Sequence, residues 1–112
     1  MADVFPEPIT SLPEADIPFN SVRAYLSQAE THQIIFMEFS EDAQVPEHSH
    51  ASQWEIALEG RVELSINGAK RVYSKGDRFF IPEGVRHSAR VFAGYAAIAF
   101  FNQADRYKVK PK

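Results

Sequence analysis

The sequence predicts an all-β chain, a small antiparallel barrel or sandwich, on three observations. The five glycines fall at Gly60, Gly68, Gly76, Gly84 and Gly94, spacings of eight, eight, eight and ten residues, which is the rhythm of strand, turn and strand. Arg61 to Ile66 alternates polar with apolar side chains and runs into Asn67-Gly68, a pair that accepts the positive φ values of a type I′ hairpin turn. After residue 32, no segment repeats its apolar residues with a helical period.

The elements follow in chain order. Pro6, Pro8, Pro13 and Pro18 lie among Val4, Phe5, Ile9, Leu12, Ile17 and Phe19, too apolar a mixture for a solvated linker. Residues 1–32 are therefore expected to form an N-terminal arm packed on the barrel or on a partner subunit. Gln33 to Phe39 reads as a strand, and Ser40 to Glu47, with Pro46, as a loop leading to His48-Ser49-His50. Next, Gln53 and Glu55 share one face of a strand and Trp54, Ile56 and Leu58 the other. Ala69 to Tyr73 returns from the hairpin turn, Lys75-Gly76-Asp77 turns again, and Arg78 to Ile81 is the next strand. His87 to Phe92 and Tyr95 to Phe101 are expected to form a second hairpin across Ala93-Gly94. Arg106, Lys108, Lys110 and Lys112 give a basic end, and residues 108–112 are expected as a solvated tail.

A chain of 112 residues is one domain with room for a core. It has no cysteine, so any metal site must use imidazole, carboxylate or amide donors, and a cytoplasmic location fits. The net charge of −3 lacks the concentrated basic face that nucleic acid requires. No apolar run approaches the ~20 residues of a membrane span, and no secretory leader is legible, so a soluble protein without a membrane partner is expected.

His48 and His50 stand two apart, a spacing that turns both side chains to one side of a strand. His87 follows a turn marked by Pro82 and Gly84. Three imidazoles on two rigid elements point to one divalent transition metal, with Zn, Ni, Fe, Mn and Co all admissible. Its affinity is expected to fall as protons compete for the imidazoles below pH ~6.5. His32 has no such company and reads as a surface histidine.

These residues carry a resemblance to the cupins, small double-stranded β-helix or jelly-roll barrels. Gly76, Pro82, Gly84 and His87 match the superfamily's second signature, with Val91 in place of its terminal asparagine; His48, His50 and Gly60 match the first, with Asp42 at its leading glycine. The resemblance covers residues 48–91 through the motifs, and implies a cupin barrel over 33–107. It places a fourth metal ligand seven residues before Gly60, at Gln53; counted forward from His50, Glu55 has an acceptable spacing instead. A neutral Gln donor would leave the centre one unit more positive than a Glu would. Three-His-plus-Gln sites resemble those of cupins that linearise unsaturated uronates in pectin and alginate breakdown. Those enzymes also use an acid and an aromatic on the last strand with an arginine beyond. Here Ala99-Phe100-Phe101 supplies the aromatic and no acid, with Asp105 and Arg106 following.

The interior can be read from parity. His87, Ala89 and Val91 share a face, as do Ala97, Ala99 and Phe101, and the alanines are expected to leave room for a small, partly apolar ligand. If Gln53 and Glu55 face inward, the apolar set Trp54, Ile56 and Leu58 faces outward and needs cover from the arm or from a second subunit, which predicts a homodimer. Passing from even-numbered His50 to odd-numbered Gln53 needs an irregularity, expected at Ala51-Ser52. Three function classes remain: a metal-dependent lyase, isomerase, hydrolase or dioxygenase, with Glu55 as candidate base; a non-catalytic small-molecule binder or sensor; and a barrel whose metal is structural.

Overall fold

The computed structural model describes residues 4–111. Residues 1–3 of the expected arm and Lys112 of the expected tail lie outside the described residues. One helical turn, α1 (Glu7–Thr10), precedes nine strands: β1 (Val22–Gln28), β2 (Gln33–Phe39), β3 (Ala43–His48), β4 (Gln53–Glu59), β5 (Arg61–Ile66), β6 (Ala69–Ser74), β7 (Arg78–Ile81), β8 (His87–Val91) and β9 (Ala96–Phe101). They form two antiparallel sheets, ordered β1-β2-β9-β4-β7 and β3-β8-β5-β6. The chain is all-β, two antiparallel sheets packed face to face with the main core between them.

The local grammar of the β5–β6 hairpin is the one the sequence dictates. Asn67 and Gly68 both take positive φ, 51° and 80°, as a type I′ turn requires, and Arg61 pairs with Ser74 through to Ile66 with Ala69. On β5, Val62 and Leu64 are buried, and they meet Phe39, Phe79 and Ile81 in the main core cluster.

Three expectations are corrected. The stretch read as a loop from Ser40 contains strand β3, which pairs with β8. Pro46 fits there because β3 is the edge of its sheet and a register shift between Val45 and His48 relieves the ladder where the proline has no N–H to give. Next, β8 and β9 are not a hairpin, since β8 joins the four-stranded sheet and β9 runs between β2 and β4 in the other. Residues 92–95 therefore cross from sheet to sheet. Last, two of the three inward alanines are filled in rather than open: Ala97 belongs to the main core, and Ala99 packs with Ala15, Leu26 and Ile35 in a second cluster, whereas Ala89 borders open space as expected.

Within the first 32 residues, Val22–Gln28 is an edge strand paired along its whole length with β2. Upstream of it, Phe5 is buried edge-on against Tyr25 and Phe36. The two ends of the chain are tied together: Ala15 bridges Val109, Asp16 N donates to Lys108 O at 2.8 Å, and Lys110 N donates to Glu14 O at 2.8 Å. Gln33, fully buried, holds the same tail by donating to Tyr107 O and accepting from Tyr107 N.

Candidate metal centre

His48 ends β3 and His87 opens β8, and the two are register partners across the sheet. The shift between Val45 and His48 inserts one residue into β3. That single residue changes parity, so an even-numbered His48 faces the interior that odd-numbered Val45 also lines. His50 lies beyond the strand, in the connection that carries the chain to β4 in the other sheet. Its proximity to His48 thus comes from this crossing and not from strand periodicity. The second parity change, from His50 to Gln53, is made by the same connection; no bulge within a strand is involved.

One ring nitrogen from each of His48, His50 and His87 lies within 4.8 Å of the others, with ring centroids 4.3 to 5.1 Å apart. The Nδ1 atom of every ring faces a backbone carbonyl: His48 to Pro46 O at 2.9 Å, His50 to Ala51 O at 2.7 Å, His87 to Val85 O at 2.9 Å. A carbonyl can only accept, so each Nδ1 carries the proton and each Nε2 keeps its lone pair free. The Nε2 of His50 is buried with no hydrogen-bond partner among the described residues. Burial pushes the His50 pKa down to about 4 and that of His87 in the same direction, with neighbouring Arg106 and imidazole charge adding to the effect. Three imidazoles gathered in this way, each held at Nδ1 by a carbonyl, are a donor set a divalent transition metal can use through Nε2, so these residues fit one.

Gln53 and Glu55 both face inward from β4, and Ala57 continues that face. Glu55, 4% exposed, lies outside the imidazole group. Its Oε1 accepts from Gln53 Nε2 at 2.8 Å and its Oε2 accepts from the Tyr95 hydroxyl. Burial raises its pKa to about 7 against the opposing effect of those two donors. The acceptor role of Glu55 toward Gln53 places these two side chains in one network.

These groups line a cavity of about 360 Å³, within the usual range for small-molecule sites. Its deep walls are apolar, with Leu64, Phe79 and Val91 among them, and Phe101 packs edge-on to His50 at 5.4 Å. Two parts of the lining escaped the sequence reading. The tied chain ends contribute Ile17 and Phe19 from one side and Arg106 and Tyr107 from the other. No short-range pattern marks that contact. Tyr95 was also missed, although the parity that turns Ala97, Ala99 and Phe101 inward, carried back two residues, would have found it. Arg106 lies over the Tyr107 ring at 4.3 Å, and its Nε is buried without a hydrogen-bond partner among the described residues. His32, outside the site, stacks on Phe100.

A family model described as "Cupin domain" matches residues 35–94. No curated protein sequence matches the chain. Among solved structures, an RmlC-like cupin from Shewanella frigidimarina aligns with a TM-score of 0.72 at 24% identity, covering 84% of this chain and 86% of that one. KdgF from Halomonas sp. aligns at 0.68 and 20% identity over 82% and 88%. A cupin superfamily protein from Desulfitobacterium hafniense aligns at 0.70 and 17% identity over 92% and 94%. Likeness at these identities shows the fold alone.

Proposed function

Since the chain belongs to the cupin family, we propose that it binds or transforms a small oxygenated metabolite, sugar-derived acids included, at a divalent transition metal inside the barrel. His48, His50, His87 and Gln53 would hold the metal. The observation that carries this reading is the gathering of three imidazoles: their ligand nitrogens lie within 4.8 Å of one another, and a backbone carbonyl faces each Nδ1, which favours the tautomer that leaves Nε2 for a metal. A Zn, Ni, Fe, Mn or Co ion bound there supplies Lewis acidity toward a ligand oxygen.

The protein's own side chains would do the rest. Phe101 and the deep aliphatic wall exclude water and select a ligand with an apolar body. Arg106, braced on Tyr107 with an unpartnered Nε, offers a charged donor to a ligand oxygen on the side of the chain ends. A non-catalytic binding module is the second reading. It is favoured by one feature: among the described residues Glu55 is the single acidic side chain lining the cavity, and both its oxygens are already engaged by the protein.

Metal analysis of protein purified without added metal, followed by uronate-turnover screens and oxygen uptake with iron, tests the proposal. About one equivalent of metal, lost on His50→Ala with the fold intact, is expected; turnover then separates enzyme from binder. Failure of the purified chain to take up any of the five ions would overturn the metal-centred reading.

A homodimer is proposed on the outer face of the five-stranded sheet. The arm covers only one end of that face, through Phe5 on Tyr25 and Phe36. Trp54 and Phe80, paired on adjacent strands, remain 40% and 58% exposed.

A further inference from the structure

A primary amide can present either its oxygen or its nitrogen to a metal, and only the oxygen is a useful donor. What fixes the choice at Gln53 is a pair of buried groups that do not belong to the imidazole cluster. An ionised carboxylate accepts and never donates. Glu55 Oε1, taking a hydrogen bond from Gln53 Nε2 at 2.8 Å, therefore commits the nitrogen branch of that planar amide to the protein and turns the oxygen branch away from Glu55. Turning the amide over would set oxygen against oxygen at a buried contact.

Glu55 is itself held. Its other oxygen accepts from Tyr95, which is buried at the corner leading into β9 and packed beside Phe39 at 6.2 Å between ring centroids. Gln53 is the register partner of Phe101, whose ring touches His50. The amide, the two groups that hold it and the three imidazoles all line one cavity.

We propose that Tyr95 and Glu55 form a positioning clamp that locks the Gln53 amide with its oxygen free for the metal. Resting on the ligand set proposed above, this makes Glu55 a positioning residue and sets a carboxyl group one hydrogen bond behind the neutral fourth donor.

The test uses cobalt(II) on the full chain at about pH 8, where protons no longer compete with the metal for a free imidazole. Chelator competition gives the affinity, and the visible ligand-field spectrum reports the donor set. Glu55→Gln frees the amide to turn over and is expected to weaken binding by ~10–100-fold and to change the spectrum. Tyr95→Phe should move both in the same direction by less. The exchange variant Gln53→Glu/Glu55→Gln keeps the hydrogen bond with its direction reversed and puts an anionic donor at position 53. It should bind at least as tightly as the wild type, and more tightly than Gln53→Glu alone, whose two facing carboxylates lack the hydrogen bond. Wild-type affinity and spectrum in Glu55→Gln, or an exchange variant no better than Glu55→Gln, would overturn the clamp while leaving the three-imidazole site standing. A wild type that takes no cobalt would remove the ligand set and the clamp together.

Discussion

At the scale of the residue, the chemistry of this site is set by where protons are held. Each imidazole is held at Nδ1 by a carbonyl of its own neighbourhood, which fixes the ring and leaves Nε2 as the nitrogen available to a cation. Burial lowers the His50 pKa to about 4, so proton competition at this ring begins well below the pH of ~6.5 expected for a free imidazole. The same shift has a consequence for the metal-free protein. Below 6.5 the unfolded chain takes up a proton at His50 that the folded chain refuses until about 4, so the unfolded state gains as pH falls through that window. Glu55 acts in the reverse sense: its folded pKa is raised to about 7, so its contribution is lost as pH rises toward that value. The His50 effect is isolated by comparison with His50→Ala. Relative to that variant, metal-free wild type should lose thermal stability on acidification from pH ~6.5 to ~4, and parallel profiles for the two would refute the assignment. His50→Ala should also abolish stoichiometric metal binding, read by elemental analysis.

At the scale of the element, the site depends on departures from strand regularity. One inserted residue in β3 turns His48 inward, and the crossing between sheets brings His50 beside it. Gly60, between β4 and β5, has φ of +69°, and a Cβ there would meet Gly94 O and the Tyr95 backbone at 2.8 Å. Those atoms are backbone and cannot swing aside. Gly60→Ala combines that overlap with the ~1–2 kcal/mol of a left-handed L residue, so a loss of at least ~2 kcal/mol is expected by denaturant unfolding. It should also weaken metal binding, because the corner it displaces carries the tyrosine that holds Glu55. A variant with wild-type stability would show that the Gly94–Tyr95 corner yields freely.

At the scale of the molecule, the two sheets differ in what they leave outside. The five-stranded sheet presents Trp54 and Phe80 to solvent, with Ile56, Ile98 and Phe100 on the same face by register. Charge placed there should break self-association without touching the cavity. Sedimentation at micromolar concentration is expected to show a dimer for wild type and a monomer for Phe80→Glu, with metal content unchanged in both. A monomeric wild type would remove the interface. At the opposite edge, the tie between Glu14–Asp16 and Lys108–Lys110 joins the chain ends beside the cavity they help to line.

Much of this was legible in the sequence because it is local. Glycine spacing, the Asn67-Gly68 turn and period-two alternation specify β5 to β7, since each depends on a few neighbouring dihedrals. The two motifs carried the cupin resemblance and pointed to the three histidines that the folded chain gathers. The inward aspect of Gln53 and Glu55 came from that resemblance, against the hydrophobicity of Trp54, Ile56 and Leu58. The tertiary structure decided what depends on partners distant in the chain. Strand β3 forms around Pro46 only because β8 lies beside it, and β8 and β9 part because each finds its partners in a different sheet. The link from Tyr95 to Glu55 spans 40 residues, and that from Tyr107 to Gln33 spans 74. No short-range propensity encodes such contacts; they exist because burying a polar group obliges it to find a partner, and the fold alone determines which partner is within reach.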